Sequence, residues 1–181
     1  RLELPAGTRG VIINVGSKKD PIQPPVDNSS IVVIAVEPIL TTAMRIKRPR
    51  HGRLLVIGGV AIASGPPRFQ MFREYFRDGL SSSLAKVIDE RLRQLFSQDE
   101  GRLWPVAVLP LKTLLRSIPS SVNILHVMTD MQGFDLDAIK SAGDEIRRTP
   151  SLMTEVSCGG KVAYEGVKND LALDWMDYMR T

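Results

Sequence analysis

A chain of 181 residues, 43% hydrophobic and 24% charged, has the composition of a soluble globular protein and the length for one domain with a sizeable core. Its net charge of +4 and pI near 9.4 admit an anionic partner without requiring one. One cysteine, Cys158, and two histidines, His51 and His126, exclude an internal disulfide and a Cys/His zinc cluster, and no apolar run approaches the ~20 residues that cross a bilayer.

The N-terminus, Arg1-Leu2-Glu3-Leu4-Pro5, carries neither a signal-peptide core nor an initiator Met. The reading is of a processed, truncated or partial chain, soluble, in the cytoplasm or an organelle. The first strand is predicted over 11–16, a β-branched run without polar alternation, as expected of a strand buried on both faces. It ends at Gly16, where the backbone can turn sharply and let a ligand approach. The 14 residues Ser17 to Ser30 suffice for a parallel crossover, but Pro21, Pro24 and Pro25 leave little room for a helix, so a loop is expected. A second buried strand, 31–36, closes on Glu37-Pro38.

The run Met44 to Arg53 holds five cations, Arg45, Lys47, Arg48, Arg50 and Arg53, and one histidine. Such a loop is solvated surface or a contact for an acidic or nucleic-acid-bearing partner; with no aromatics in it, stacked single-stranded bases are disfavoured. A strand follows over 54–62. Leu84, Val87, Ile88, Leu92, Leu95 and Phe96 then recur at helical spacing. Strands are predicted over 105–110, 123–129 and 151–157, with a helix marked by Leu136, Ile139 and Ile146 that ends before Thr149-Pro150. Trp175, Met176 and Met179 mark a last helix. This alternation predicts a single α/β domain over 1–181 around a mostly parallel sheet flanked by helices.

Taken in order, these segments resemble the FkbM-type S-adenosylmethionine-dependent methyltransferases. Asn14-Val15-Gly16-Ser17-Lys18-Lys19-Asp20 is similar to that family's D-V-G-A-N-x-G, and Ala35-Val36-Glu37-Pro38 to its A-x-E-P. Ala61-Ile62-Ala63, the serine-rich Ser81-Ser82-Ser83-Leu84 and Val106 to Leu115 resemble later segments. Met128 to Asp135, with Glu155-Val156 beyond it, resembles K-x-D-x-E-G-x-E. The chain departs from the pattern at Asn14, Asp20, Met128 and Gln132, and the closing antiparallel strands of such a fold are not visible after Trp175. The resemblance implies a Rossmann-like class I methyltransferase fold, S-adenosylmethionine as cofactor, and cofactor contacts at Asn14, Gly16, Ser17, Glu37, Ala61, Ile62 and Asp130.

The residues themselves point the same way with alternatives attached. Glu37-Pro38 is also a common helix start, but with Gly16 one strand away a carboxylate bridging two ribose hydroxyls is the better reading. Asp130 closes an apolar run and so faces the crevice beyond the strand ends; it is otherwise a helix cap. His126 lies within a strand and reads as a core histidine, and Cys158 as a small buried hydrophobe. No nucleophile elbow, P-loop or metal-ligand pattern is present. Two functions stay open. One is methyl transfer to an oxygen of a small-molecule or sugar-type acceptor, with no residue standing out as the base that would deprotonate it. The other is a catalytically silent methyltransferase-like subunit of a larger complex, with the basic loop as its contact.

Overall fold

In the computed structural model of the chain the described residues are 1–24, 28–75, 82–90, 94, 102–156, 164–165, 167 and 172–180. The core is built on β1 (Gly10–Val15) and β2 (Ile31–Glu37), both buried along their full length. Their side chains alternate between two faces, as strand geometry requires. Val11, Ile13, Val15, Val32, Ile34 and Val36 join the main core, whereas Ile12, Ile31 and Val33 form a separate cluster on the other side.

Around them lie β3 (Arg53–Gly58), β7 (Asn123–Thr129) and β8 (Leu152–Thr154), giving an all-parallel sheet in the order β3-β2-β1-β7-β8. A short α1 (Leu40–Ala43) follows β2, and the main-core face is covered by α2 (Leu111–Ser117), α3 (Asp135–Ala142) and the buried Trp175 of α4 (Ala172–Met179). α2 and α3 are locked by Ser141, whose hydroxyl accepts the Leu111 N–H at 2.8 Å and donates to the Ala138 carbonyl at 2.6 Å. Ser141→Ala leaves the Leu111 N–H, at the first turn of α2, without that acceptor. A loss of about 1–2 kcal/mol in urea unfolding is the expected result, and a change below about 0.3 kcal/mol would show that the helix end finds another partner. The architecture is α/β and Rossmann-like.

The opposite face carries the proline-bearing crossover, which has no helix among its described residues, as the prolines predict. Its Ile22 packs on the Ile12–Ile31–Val33 cluster, and Asn14 Oδ1 accepts the Ile22 N–H at 2.8 Å. A buried strand amide thus tethers the loop that does a helix's work.

Five expectations are corrected. The predicted strand 54–62 is two strands: Gly59, at φ +75°, ends β3 and starts β4 (Val60–Ile62) in another sheet. That second sheet has the order β4-β6-β5, with β5 (Arg68–Glu74) antiparallel to β6 (Arg102–Leu109). The 105–110 segment therefore belongs to a longer strand outside the central sheet. Its Pro105 precedes the β4 pairing, which starts at Ala107, and so has no ladder to interrupt on that flank. Leu84 to Ile88 is not helical: Val87 bridges Tyr164 and is buried with Tyr75. Glu90 and Gln94 are helical, while Leu92, Leu95 and Phe96 lie outside the described residues, as does Cys158. The strand predicted over 151–157 is shorter, β8, and the helix predicted from Leu136 to Ile146 is α3 followed by a 3-10 turn, Gly143–Arg148.

Candidate functional site

The chain order β1, β2, β3 runs outward on one side and β7, β8 follow on the other, so the strand order reverses between β1 and β7. Open parallel sheets bind ligands beyond the carboxyl ends of the strands at such a reversal. Here those ends are held very close. The Asp130 N–H donates to the Val15 carbonyl at 3.0 Å, and the Gly16 N–H to the Val36 carbonyl at 3.0 Å. Gly16 has φ +76°, and a Cβ there would lie 1.9 Å from the Asp130 carbonyl oxygen. Only glycine fits the gap.

A cavity of about 280 Å³ opens beyond this junction, between the central sheet and the small one. Gly16, Glu37 and Asp130 share its wall with Ala61 and Ile62 from β4. The small sheet contributes Phe72 and Glu74, and Phe134 stands before α3. Five of the seven sequence-predicted site residues are thereby brought together. Asn14 and Ser17 are not among the lining residues. Asn14 tethers the crossover, and Ser17 is buried with its hydroxyl unpartnered among the described residues.

Glu37 ends β2 and is buried. Its Oε2 accepts the Lys18 N–H and its Oε1 the Ile39 N–H, each at 3.1 Å. Burial pushes its carboxyl up to about 7; the two backbone donors and Lys18 pull it down, and the negative Glu74 adds to the rise. Each oxygen keeps lone-pair capacity beyond the one N–H it accepts, so the carboxylate can take further hydroxyl donors. Glu74 is itself held by the Trp104 indole N–H, at 2.7 Å.

The far wall turns on Gln132, at φ +54°. Its amide donates to Asp130 Oδ1 at 2.7 Å and to Glu155 Oε2 at 2.8 Å, and its Oε1 accepts the Tyr164 hydroxyl at 2.9 Å. The buried Ser83 hydroxyl donates to the Gln132 carbonyl at 3.0 Å. Asp135, buried at the start of α3, accepts the Met131 N–H through both oxygens and closes the loop. Asp130 is thus a rim carboxylate paired to an amide rather than a helix cap.

Sequence reasoning missed the cavity residues on or just after β5 and after β2, among them Thr41, Thr42, Phe72 and Tyr75. β5 mixes Arg68, Gln70, Arg73 and Glu74 with three apolar residues and gave no buried-run signal; the threonines carry none. Of the basic loop, Arg45 lines the cavity. Lys47 pairs with Asp20 at 2.8 Å, and Arg53 donates to the Ala6 carbonyl and the Thr8 hydroxyl. Arg48 and Arg50 are exposed. His126 is outside the cavity, its Nδ1 2.8 Å from the Ser151 hydroxyl, and burial lowers its pKa. No group of three metal-ligating side chains occurs among the described residues, and none of their helices is long and apolar enough to cross a membrane. Comparison with family models, curated proteins and solved structures gives no match for this chain.

Proposed function

We propose that this chain is a methyltransferase-like protein that takes S-adenosylmethionine in the cavity beyond β1 and β2. The observation that carries the reading is the convergence of Gly16, Glu37, Ala61, Ile62 and Asp130 on one unfilled cavity at the strand-order reversal. The residues present suit a nucleoside. Glu37 offers two carboxylate oxygens for vicinal hydroxyls, and Ala61, Ile62 and Ile39 offer an apolar surface for a base. Gly16 lets the ends of β1 and β7 meet at the cavity wall, where a Cβ would strike the Asp130 carbonyl. The volume lies near the lower end of the roughly 300–1,000 Å³ of ligand pockets, which suits one nucleoside with its remainder at the mouth.

When bound, the cofactor supplies an electrophilic methyl group on a sulfonium. The protein's part would be orientation: Glu37 would hold the sugar hydroxyls, and the Gly16 turn and the Asp130–Gln132 rim would bound the site. Displacement at carbon needs the acceptor held in line, so positioning supplies much of the rate. Calorimetric titration with S-adenosylmethionine tests the reading. Glu37→Ala should weaken binding by roughly 1.5–3 kcal/mol, ten- to a hundred-fold. Absence of binding to the wild-type chain sinks the cofactor assignment; equal affinity in a folded Glu37→Ala chain removes Glu37 from the site.

One observation favours the second reading, a silent subunit of an assembly. The small sheet presents Phe69, 86% exposed, with Met71 and Leu103 on its outer face, an apolar strip of the kind partners cover. On that reading Arg48→Glu with Arg50→Glu should release the chain from its complex with little change in melting temperature, since both side chains are exposed. Undiminished retention of the double variant would make the loop ordinary surface.

A further inference from the structure

The cavity lining carries charge of both signs. Its β2 side is lined by three cations, Lys18, Lys19 and Arg45, together with the hydroxyl residues Thr41 and Thr42. Glu74 and Asp130 share the lining, and each is already engaged, by the Trp104 indole and the Gln132 amide respectively. The three cations come from two separate segments pinned to each other. The Lys47 N–H donates to the Lys19 carbonyl at 2.8 Å, and the Arg45 N–H donates to the Thr42 carbonyl at 2.9 Å.

The nearby acids do not neutralise this side. Asp20, next along the turn, is paired with Lys47. Glu37 receives the backbone N–H of Lys18, and burial drives it toward its neutral form. Lys19 and Arg45 are exposed and Lys18 half-buried, whereas Glu37 is buried. The cations therefore stand at the mouth, and the sugar-binding carboxylate below it. Cations clustered at the mouth of a cleft concentrate anions there through their summed field.

We propose that the mouth of the cavity binds an anionic group, a phosphate or carboxylate, carried by the methyl acceptor, with Lys19 and Arg45 as its principal contacts and Lys18 beside them. This rests on reading the cavity as a cofactor site, and it names the acceptor class that reading leaves open. A neutral sugar would leave the three charges unused; a phosphorylated or acidic one meets them.

The probe is inorganic pyrophosphate, titrated by calorimetry into the full chain with and without saturating S-adenosylhomocysteine. Wild type should bind it, and Lys19→Gln with Arg45→Gln should weaken that binding by about tenfold or more, as loss of hydrogen bonds to a charged group does. Arg48→Gln with Arg50→Gln, on the same loop but off the cavity, should leave it unchanged. Single Arg45→Gln, an exposed substitution, gives the same readout should the pair disturb folding. Binding that is absent from wild type, unchanged in the Lys19/Arg45 variant, lost equally in the Arg48/Arg50 variant, or displaced by S-adenosylhomocysteine overturns the proposal. If S-adenosylhomocysteine itself does not bind while pyrophosphate behaves as expected, the cofactor reading fails and the anion site stands.

Discussion

Gly16→Ala is expected to cost about 3 kcal/mol or more and to abolish ligand binding in the cavity. Two terms add. A non-glycine residue at φ +76° pays roughly 1–2 kcal/mol. The new Cβ would also lie 1.9 Å from the Asp130 carbonyl oxygen and 2.9 Å from its carbon, both backbone atoms that cannot swing aside. The ends of β1 and β7 must then part, straining the Asp130-to-Val15 and Gly16-to-Val36 hydrogen bonds, each worth about 1 kcal/mol. For a chain of this size the melting temperature should fall by roughly 6–12 °C. Gly7→Ala is the matched control, with the same φ of +76° and nothing within 4 Å of the added carbon. Gly7→Ala should pay the conformational term alone. Equal losses at the two positions would mean the strand ends are not packed as described.

The second large effect is a pH dependence owed to Glu37. Its carboxyl titrates near 7 in the folded chain against 4.5 as the reference value, because burial disfavours the charge. Between these values the folded state holds a proton that the unfolded state has released. Stability from this group is therefore complete below pH 4.5, declines as pH rises, and is gone above 7. The span corresponds to about 3 kcal/mol at 1.36 kcal/mol per pH unit. Glu37→Gln should remove this slope from urea-unfolding free energies measured between pH 5 and pH 8, although its amide can accept only one of the Lys18 and Ile39 N–H groups. Ligand affinity should run the opposite way. Sugar hydroxyls prefer the carboxylate, so binding strengthens from pH 6 to pH 8 in wild type and stays level in Glu37→Gln. Parallel slopes in the two proteins would place the titrating group elsewhere.

β1 and β2 were legible in the sequence because both their faces are buried, which strips them of polar alternation. The same criterion misled at 54–62, where the apolar residues on either side outweighed the Gly58-Gly59 pair that marks the turn and the change of sheet. It was blind to β5, whose Phe69 is exposed and whose Arg68, Gln70, Arg73 and Glu74 break up its apolar residues. The helical spacing from Leu84 to Ile88 lost to long-range pairing, as Val87 finds Tyr164 and Tyr75 instead of a helix partner. Of the site, the residues that close strands were legible, since topology alone brings strand ends together. Asn14 carried the same positional signal but spends its amide on Ile22. The contribution of β5 to the cavity was not legible, because nothing in the sequence places that strand beside β6.

The crossover that replaces a helix gives the sheet two unequal shelters. On one side α2, α3 and Trp175 form a cooperative cover, so exposing the strands there requires most of the core to open. On the other, a loop rich in proline lies over Ile12, Ile31 and Val33, tethered through the Asn14 amide. Opening on that side breaks few contacts, and small local openings are the ones that occur most often. Amide hydrogens of Ile22 and its neighbours should accordingly exchange with solvent ahead of those in α2 and α3. The strand that ends at Gly16 is thus reached by water from beneath, through the loop, long before the fold itself gives way.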